Sequence, residues 1–233
     1  MKTNLVIIPT RSRPQKARDA AQAVIDNSYI SDVMLGLDDD DAQAYLDEKI
    51  KGVLYEVNPR LKMNGTLNLL ATKYADKYET ITFMGDDHMV RTKRWDEKLF
   101  KSIDKRGYGL AYGNDLFQGQ NLATAVMMST NIIKALGFMA PKKLIHLYMD
   151  NFWMALGQIL DCMDYRHDVI IEHMHYINGK SEADAQYHEV NSSEVGNHDA
   201  EEFRRYVNEE MKEDAVKVAK AVMKWRERSL LDT

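Results

Sequence analysis

The sequence lacks the features that mark secreted and membrane proteins. It has a single cysteine, Cys162, which excludes an internal disulfide. No apolar run approaches the roughly 18 residues that a membrane-spanning helix needs. Only four apolar residues, Leu5 to Ile8, precede Pro9, too few for the apolar region of a secretory signal. We therefore expect a cytoplasmic protein with no membrane partner.

An excess of positive charge and linker-like composition are also missing. The net charge is -5, whereas proteins that hold nucleic acid by bulk charge are usually basic. Only four prolines and twelve glycines are spread over the 233 residues, and they leave no linker-like stretch. The composition predicts a single domain over residues 1–233 and confines any nucleic-acid contact to a local basic patch.

Strand-like and helix-like segments alternate over residues 1–90. Short apolar runs predict buried strands at 5–8, 33–37, 53–57 and 80–84. Between them, helical periodicity predicts helices at 14–25, 42–51 and 64–78. This alternation is typical of an α/β protein with a mostly parallel sheet flanked by helices. Such sheets bind ligands at the carboxyl ends of their strands.

The remainder of the chain is less regular. Residues 91–198 contain a predicted helix at 149–160 and a predicted strand at 169–176. Residues 178–196 show no periodicity and are rich in Gly, Ser, Asn and Asp, so we predict a lid there. A C-terminal amphipathic helix is expected over 199–230, with a packing role.

Two adjacent carboxylates, Asp86 and Asp87, follow the fourth predicted strand in the sequence Gly85-Asp86-Asp87-His88. Carboxylates forced together repel unless a cation neutralises them. Mg²⁺ and Mn²⁺ prefer oxygen ligands of this kind. We predict that this pair of carboxylates binds a divalent cation; the alternative is a solvated acidic turn or a helix cap.

Two histidines occur near the end of the last predicted strand, in Glu172-His173-Met174-His175. Alternate residues of a strand share a face, so His173 and His175 are expected to point the same way. At least one of them could complete a metal site. Alternatively, one is only a structural hydrogen-bonding group.

Three further places carry candidate binding or catalytic groups. Pro9, Thr10, Arg11 and Arg13 follow the first strand, where arginine forks suit phosphate; otherwise the arginines are surface residues before a helix. Asp38, at the end of the second strand, could accept hydrogen bonds from a base or ribose. Asp150 begins a helix, where an acid serves as a cap or as a general base.

Taken together, these residues resemble the GT-A glycosyltransferases, in particular family 2-like enzymes that include short ones predicted in bacteriophages and bacteria. The resemblance covers about residues 4–190. It is carried by Val6 to Pro14, Leu37-Asp38-Asp39, Asn64-Gly65-Thr66-Leu67-Asn68, Gly85-Asp86-Asp87-His88 and Trp95-Asp96. The metal motif departs from the family's Asp-x-Asp, and Asp150-Asn151 stands where the family often has an acidic pair.

The resemblance implies a GT-A fold and a metal-dependent, inverting sugar transfer. The donor would be a nucleotide-diphosphate sugar, with a UDP-sugar favoured, and the ion Mn²⁺ or Mg²⁺. The implied metal ligands are Asp87 with His173 or His175, Asp86 would bind metal or ribose, and the implied base is Asp150. The donor would be bound by Pro9, Thr10, Arg11, Arg13, Asp38 and Asp86, and by Lys180 from the lid.

The acceptor stays open at this point. One candidate is a hydroxymethylated base in phage DNA, because Arg91 to Arg106 is rich in Lys and Arg that could follow a phosphate backbone. The alternative for that stretch is a solvated helix face. Other candidates are a protein or glycan acceptor, a metal-dependent nucleotidyltransferase, and a nucleotide-sugar-binding module without transfer activity. Nothing in the sequence indicates the oligomeric state.

Overall fold

A computed structural model describes the backbone of residues 2–104 and 107–231 and the side chains of residues 2–103 and 107–223. One eight-stranded sheet, in the order β3-β2-β1-β4-β7-β6-β8-β5, organises this part of the chain. Its strands are β1 (Asn4–Thr10), β2 (Ser31–Asp38), β3 (Val53–Asn58), β4 (Thr80–Phe83), β5 (His88–Val90), β6 (Leu110–Asn114), β7 (Val126–Ser129) and β8 (Met163–His173). β5 and β7 run against the other strands. The predicted mostly parallel α/β sheet is confirmed.

Helices cover both faces of the sheet. They are α1 (Pro14–Asn27), α2 (Gln43–Leu46), α3 (Lys62–Tyr74), α4 (Trp95–Asp104), α5 (Thr130–Leu136), α6 (Met149–Ile159), α7 (Ala185–Val190), α8 (Ser193–Glu209) and α9 (Met211–Leu231). None of the helices in the described ranges combines the length and apolar character needed to cross a bilayer.

The alternating side chains of β1 divide the core into two layers. Leu5 and Ile7 pack with α3, α5, α6, α8 and α9 on one face. Val6 and Ile8 pack with α1, α2 and α4 on the other. Because β1 is buried on both faces, it reads as a continuous apolar run rather than an alternating one. The polar strand ends are left at one edge of the sheet.

Three helix boundaries differ from the sequence-based predictions. α2 is a single turn rather than a helix over 42–51, and Tyr45 is its only buried residue. α3 begins at Lys62 rather than near Asn64, and the buried Asn64 side chain donates to the carbonyls of Pro141 and Leu144. The expected helix over 199–230 is two helices separated at Glu210, which lets both of them pack on the same core.

Trp95 and Asp96, part of the family resemblance, have a structural role. Asp96 is fully buried and accepts hydrogen bonds from the backbone N–H groups of Tyr29 and Ile30 and from the Ser31 hydroxyl. A buried carboxylate satisfied by several donors in this way fixes the elements that carry them. Asp96 therefore holds α4 against the turn between α1 and β2, away from the polar strand ends.

Candidate active site

A cavity of about 270 Å³ opens at the carboxyl ends of β1, β2 and β4. The edge of the sheet predicted to bind a ligand is therefore the edge that carries this cavity. All sequence-predicted site residues except Lys180 line it, namely Pro9, Thr10, Arg11, Arg13, Asp38, Asp86, Asp87, Asp150, His173 and His175. The structure thus brings together groups that lie up to 166 positions apart in the chain.

Pairing between β5 and β8 brings two imidazoles to the cavity. The antiparallel register places His88 directly opposite His173, and their rings stack with centroids 4.3 Å apart. Asp87 lies just before β5, and its carboxylate contacts both rings. Its Oδ2 is 3.3 Å from His173 Nε2, and its Oδ1 is 3.3 Å from His88 Nδ1. The Asp86-Asp87 motif and the Glu172–His175 stretch therefore converge in space.

This cluster of Asp87, His88 and His173 is chemically suited to a divalent cation. One potential ligand atom from each residue lies within 4.8 Å of the other two. Two buried ring nitrogens, His88 Nε2 and His173 Nδ1, have no hydrogen-bond partner among the described residues. One carboxylate with imidazoles suits Mn²⁺ better than Mg²⁺, which prefers an all-oxygen shell.

The protonation states in the cluster also suit metal binding, which requires neutral imidazoles and an ionised carboxylate. Burial, together with the neighbouring His173, lowers the pKa of His88, so this imidazole is neutral. Burial by itself would raise the pKa of Asp87. The contacts with His173 and His88 outweigh burial and hold the pKa of Asp87 well below its usual value.

A glycine is required immediately before the carboxylates. A Cβ on Gly85 would lie 2.7 Å from Asp87 Oδ1 and 3.1 Å from His88 Nδ1. The Gly85 N–H also donates to His88 Nδ1 over 3.0 Å. Gly85 therefore allows the backbone to turn closely under the Asp87 carboxylate.

His175 does not share the position of His173. It lies beyond the end of β8, its Nδ1 accepts the N–H of Ile177, and its ring stacks on Phe117 with centroids 5.9 Å apart. The third member of the cluster is His88, which sequence reasoning passed over. Its place directly after Asp87 was the available signal.

This geometry separates the two histidines that the sequence left as alternatives. We expect His173→Gln to weaken Mn²⁺ binding by at least about tenfold. Replacing a residue that only supports a metal ligand already costs about 10–100-fold in affinity or activity, and replacing a ligand should cost no less. His175→Gln, the matched control, should change Mn²⁺ affinity by much less. Isothermal titration of metal-stripped protein with Mn²⁺ measures both constants. Equal losses in the two variants would contradict the assignment.

Asp86 belongs to the wall formed by the β1–α1 turn rather than to the cluster. Its carboxylate accepts a hydrogen bond from Thr10 Oγ1 over 2.7 Å and contacts Arg13 Nη1 at 3.2 Å. Burial and the adjacent Asp87 charge raise the pKa of Asp86 to about 6, against the opposing influence of Arg13 and Thr10. Asp86 therefore links the β1–α1 turn to the cluster.

The arginines of this turn are paired with carboxylates. Arg11 donates to both oxygens of Asp40, at 2.6 and 2.9 Å, and to Asp38 at 2.9 Å. Arg13 donates to both oxygens of Asp184, at 2.5 and 2.8 Å. These bidentate pairs have the fork geometry with which arginine also holds phosphate oxygens. The turn thus presents phosphate-type donors beside the cavity.

Part of the predicted lid lies over the cavity. Asp184 caps α7 by accepting the N–H of Tyr187, and Lys16 as well as Arg13 contacts the Asp184 carboxylate. Arg60 pairs with Glu189 at the far end of α7. Tyr187 and Glu189 are among the α7 residues that line the cavity. Ion pairs therefore hold α7 against the β1–α1 turn and against Arg60, which precedes α3.

Lys180 lies apart from the cavity. Its Nζ contacts Glu172 Oε1 at 2.7 Å, and Glu172 also accepts a hydrogen bond from Arg91. Side-chain contacts with Lys180 and Arg91 lower the pKa of Glu172 in spite of its partial burial. The structure therefore places Lys180 in a surface ion-pair cluster at the end of β8.

Asp150 faces the cavity from the first turn of α6. The residue at the N-cap is Tyr148, which has a left-handed backbone with φ 63°, so Asp150 does not cap the helix. One oxygen of Asp150 accepts the N–H of Asn151 over 2.8 Å. Burial raises the pKa of Asp150. A carboxylate in such a place has the chemistry of a proton acceptor.

Sequence reasoning missed two further residues at this site, His146 and Asp199. His146 lines the cavity from the segment before α6, and Asp199 accepts hydrogen bonds from the backbone of that segment. His146 stands in a loop without periodicity. Asp199 fell in a helix assigned to packing. Neither residue has a spacing signal in the sequence.

Most of the basic stretch from Arg91 to Arg106 is already paired where it is described. Arg91 contacts Glu172, Lys93 donates to the carbonyl of Asp26, Arg94 pairs with Glu97, and Lys98 contacts Asp168. Lys105 and Arg106 lie outside the described residues. These pairings favour the alternative of a solvated, ion-paired face.

No model of a known protein family matches the sequence, and no curated protein matches it. Solved structures of similar fold do exist. S. aureus TarS 1-349 is 13% identical, with a TM-score of 0.56 over 74% of this chain and 60% of that chain. A longer TarS structure gives 0.54, also at 13% identity, over 74% of this chain and 37% of that chain. The protein thus spans less than two thirds of the TarS chains that it matches.

Two other similar structures have TM-scores below 0.5, which are too low to support an argument. A putative nucleotide-diphospho-sugar transferase from Desulfovibrio desulfuricans G20 is 10% identical, with a TM-score of 0.48 over 95% of this chain and 99% of that chain. The glycosyltransferase GlyE of Streptococcus pneumoniae TIGR4 is 12% identical, with 0.48 over 72% of this chain and 46% of that chain. The sheet topology and the likeness to TarS together show that this chain has a GT-A-like fold, with a mostly parallel sheet between helices.

Proposed function

We propose that the protein is a metal-dependent glycosyltransferase that moves a sugar from a nucleotide-diphosphate sugar to an acceptor hydroxyl. The observation that carries the proposal is the Asp87–His88–His173 cluster in a cavity at the carboxyl ends of the parallel strands. Phosphate-type donors on the β1–α1 turn and a buried carboxylate on α6 line the same cavity. Binding, charge neutralisation and proton transfer therefore have candidate groups within one site.

Asp87 and His173 would hold the ion, with His88 as the third group. When bound, a divalent cation would neutralise charge on the departing nucleoside diphosphate. A UDP-sugar is the favoured donor. Arg11 and Arg13 would hold its phosphates in exchange for their contacts with Asp40 and Asp184, and Asp38 would accept hydrogen bonds from the base or ribose. Pro9 and Thr10 would shape the wall against which the nucleotide lies.

Asp150 would take the proton of the acceptor hydroxyl. A bond then forms between the acceptor oxygen and the anomeric carbon, while the bond from that carbon to the diphosphate oxygen breaks. A single displacement of this kind inverts the anomeric configuration. Residues 178–196 would close over the donor, and Lys180 would contribute only if that movement releases it from Glu172.

We propose a hydroxyl group as the acceptor and assign no particular class of acceptor molecule. A hydroxymethylated base in phage DNA is one hypothesis, and the ion pairing along residues 91–98 gives it no support. A protein or a glycan is the other hypothesis. A steep fall of DNA affinity with rising salt would be the sign of a DNA acceptor.

A donor panel tests the proposal against its alternatives. The protein is incubated with Mn²⁺ and UDP-glucose, UDP-N-acetylglucosamine or GDP-mannose, and in a parallel reaction with UTP and glucose 1-phosphate, and the released products are separated. A glycosyltransferase releases nucleoside diphosphate through slow donor hydrolysis. Pyrophosphate release from a nucleoside triphosphate and a sugar phosphate would instead indicate a nucleotidyltransferase. Binding without any turnover would indicate a nucleotide-sugar-binding module.

A further inference from the structure

The loop before α6 presents one imidazole that the proposed reaction does not yet use. His146 lines the cavity, and the described part of the chain offers its ring nitrogens no hydrogen-bond partner. The Asp87 carboxylate and the Arg13 guanidinium both lie near enough to influence its pKa. His146 is therefore a polar group at the cavity, within electrostatic reach of both the Asp87–His88–His173 cluster and the β1–α1 turn.

The backbone that carries His146 is held by one buried carboxylate. Asp199 of α8 is fully buried, and its Oδ1 accepts the N–H of Ile145 over 2.8 Å. Its Oδ2 accepts the N–H groups of His146, over 2.9 Å, and Leu147, over 2.8 Å. Hydrogen bonds to an ionised acceptor are about twice as strong as neutral ones. Three such bonds to consecutive residues fix the backbone conformation of this loop.

Helix α3 supports the same loop from the other side. Asn64 Nδ2 donates to the carbonyls of Pro141 and Leu144, and the Asn64 N–H donates to the carbonyl of Ile145. Asn68 Oδ1 accepts the N–H groups of Met139 and Ala140. A side chain on a loop locked from both sides is preorganised, as binding residues need to be.

The chemistry of His146 indicates what it would bind. Burial lowers its pKa to about 4, so the imidazole is neutral and offers one donor and one acceptor. A neutral ring adds no charge to offset phosphates, for which the site has arginines and the carboxylate–imidazole cluster. A hydroxyl group, in contrast, both donates and accepts. The hydroxyls of a nucleotide-sugar lie on its sugar ring and its ribose, and the ribose end is assigned to Asp38.

We infer that His146 hydrogen-bonds a hydroxyl of the transferred sugar, an inference that rests on the proposed function. Asp199 is the positioning residue that holds His146 in place. His146 is then a specificity-determining residue of the donor site. It would distinguish a nucleotide-sugar from the nucleoside diphosphate that leaves.

Calorimetric titration in Mn²⁺ with UDP, UDP-glucose and UDP-N-acetylglucosamine, and with GDP and GDP-mannose, tests this inference. In His146→Ala, the Kd of the nucleoside diphosphate should stay at its wild-type value. The Kd of the nucleotide-sugar should rise about three- to tenfold, the effect of one hydrogen bond. His167→Ala, at an exposed histidine of β8, is the matched control and should change neither constant.

Asp199→Asn tests the positioning role. The NH₂ group of its amide would face backbone N–H groups of the loop, and two donors cannot hydrogen-bond each other. We expect the same rise in the nucleotide-sugar Kd. In a His146→Ala background, Asp199→Asn should add nothing to that rise, whereas a merely structural role would weaken UDP binding as well. If Asp199→Asn does not fold, His146→Ala alone decides the inference.

Two results would overturn the inference while sparing the proposed function: unchanged nucleotide-sugar binding by His146→Ala, or an equal weakening of UDP and UDP-sugar. A wild-type protein that binds none of these nucleotide-sugars would overturn both.

Discussion

Replacing Asp87 with asparagine should nearly abolish sugar transfer and leave the fold intact. The substitution keeps the shape of the side chain but removes the charge that lies between His88 and His173. Loss of a residue that only supports the ligands of a metal site already lowers metal affinity or activity by about 10–100-fold. Loss of a ligand itself should therefore lower kcat/KM by at least about a hundredfold. Nucleoside diphosphate release in saturating Mn²⁺ measures the effect.

Asp76→Asn is the matched control for this variant. Asp76 is on the connection between α3 and β4, its side chain is 89% exposed, and it does not line the cavity. We expect wild-type turnover from it. Circular dichroism and the melting temperature of Asp87→Asn would show whether the fold is retained. Near-wild-type turnover by a folded Asp87→Asn protein would show that sugar transfer does not depend on a metal ion bound by Asp87.

Asp150→Asn should lower kcat by roughly 10²- to 10⁴-fold, the usual contribution of a general base. Asparagine preserves the size of the side chain and can still accept the N–H of Asn151, but it cannot take a proton from an acceptor hydroxyl. Because Asp150 is on α6 and the residues proposed to bind the nucleotide follow β1 and β2, we expect donor affinity to be unchanged. Separate measurements of kcat and of nucleotide-sugar Kd test both statements.

The opposite end of α6 provides the control. Asp161 is exposed just beyond this helix and has a left-handed backbone with φ 48°, which asparagine tolerates well. Asp161→Asn should retain wild-type kcat. A loss of donor affinity in Asp150→Asn that matches its loss of kcat would argue against a base and for a binding role.

The fold was largely predictable from the sequence because its first half follows local rules. Buried parallel strands appear as apolar runs, and β1, β2, β3 and β4 all match such runs. Helix ends were less predictable. The local sequence pattern does not distinguish one helix over 199–230 from the two helices α8 and α9, which are separated at Glu210 and pack on the same core.

The site was predictable where chemistry and strand ends coincide. The Asp86-Asp87 pair and His173 could be singled out because adjacent carboxylates repel unless a cation neutralises them, and because histidines are common partners in such sites. His88 was missed because its importance arises from the β5–β8 register, a contact between residues 85 positions apart. His146 and Asp199 depend on a backbone loop held by a distant carboxylate, which no sequence pattern records.

The central claim is that one divalent ion binds where Asp87 meets the stacked imidazoles. Its most direct test is a crystal structure of the protein soaked with Mn²⁺ and UDP, with an anomalous difference map recorded for manganese. The account predicts a peak within about 2.5 Å of a carboxylate oxygen of Asp87 and a ring nitrogen of His173. A manganese peak elsewhere in the cavity, with neither residue as a ligand, would contradict it.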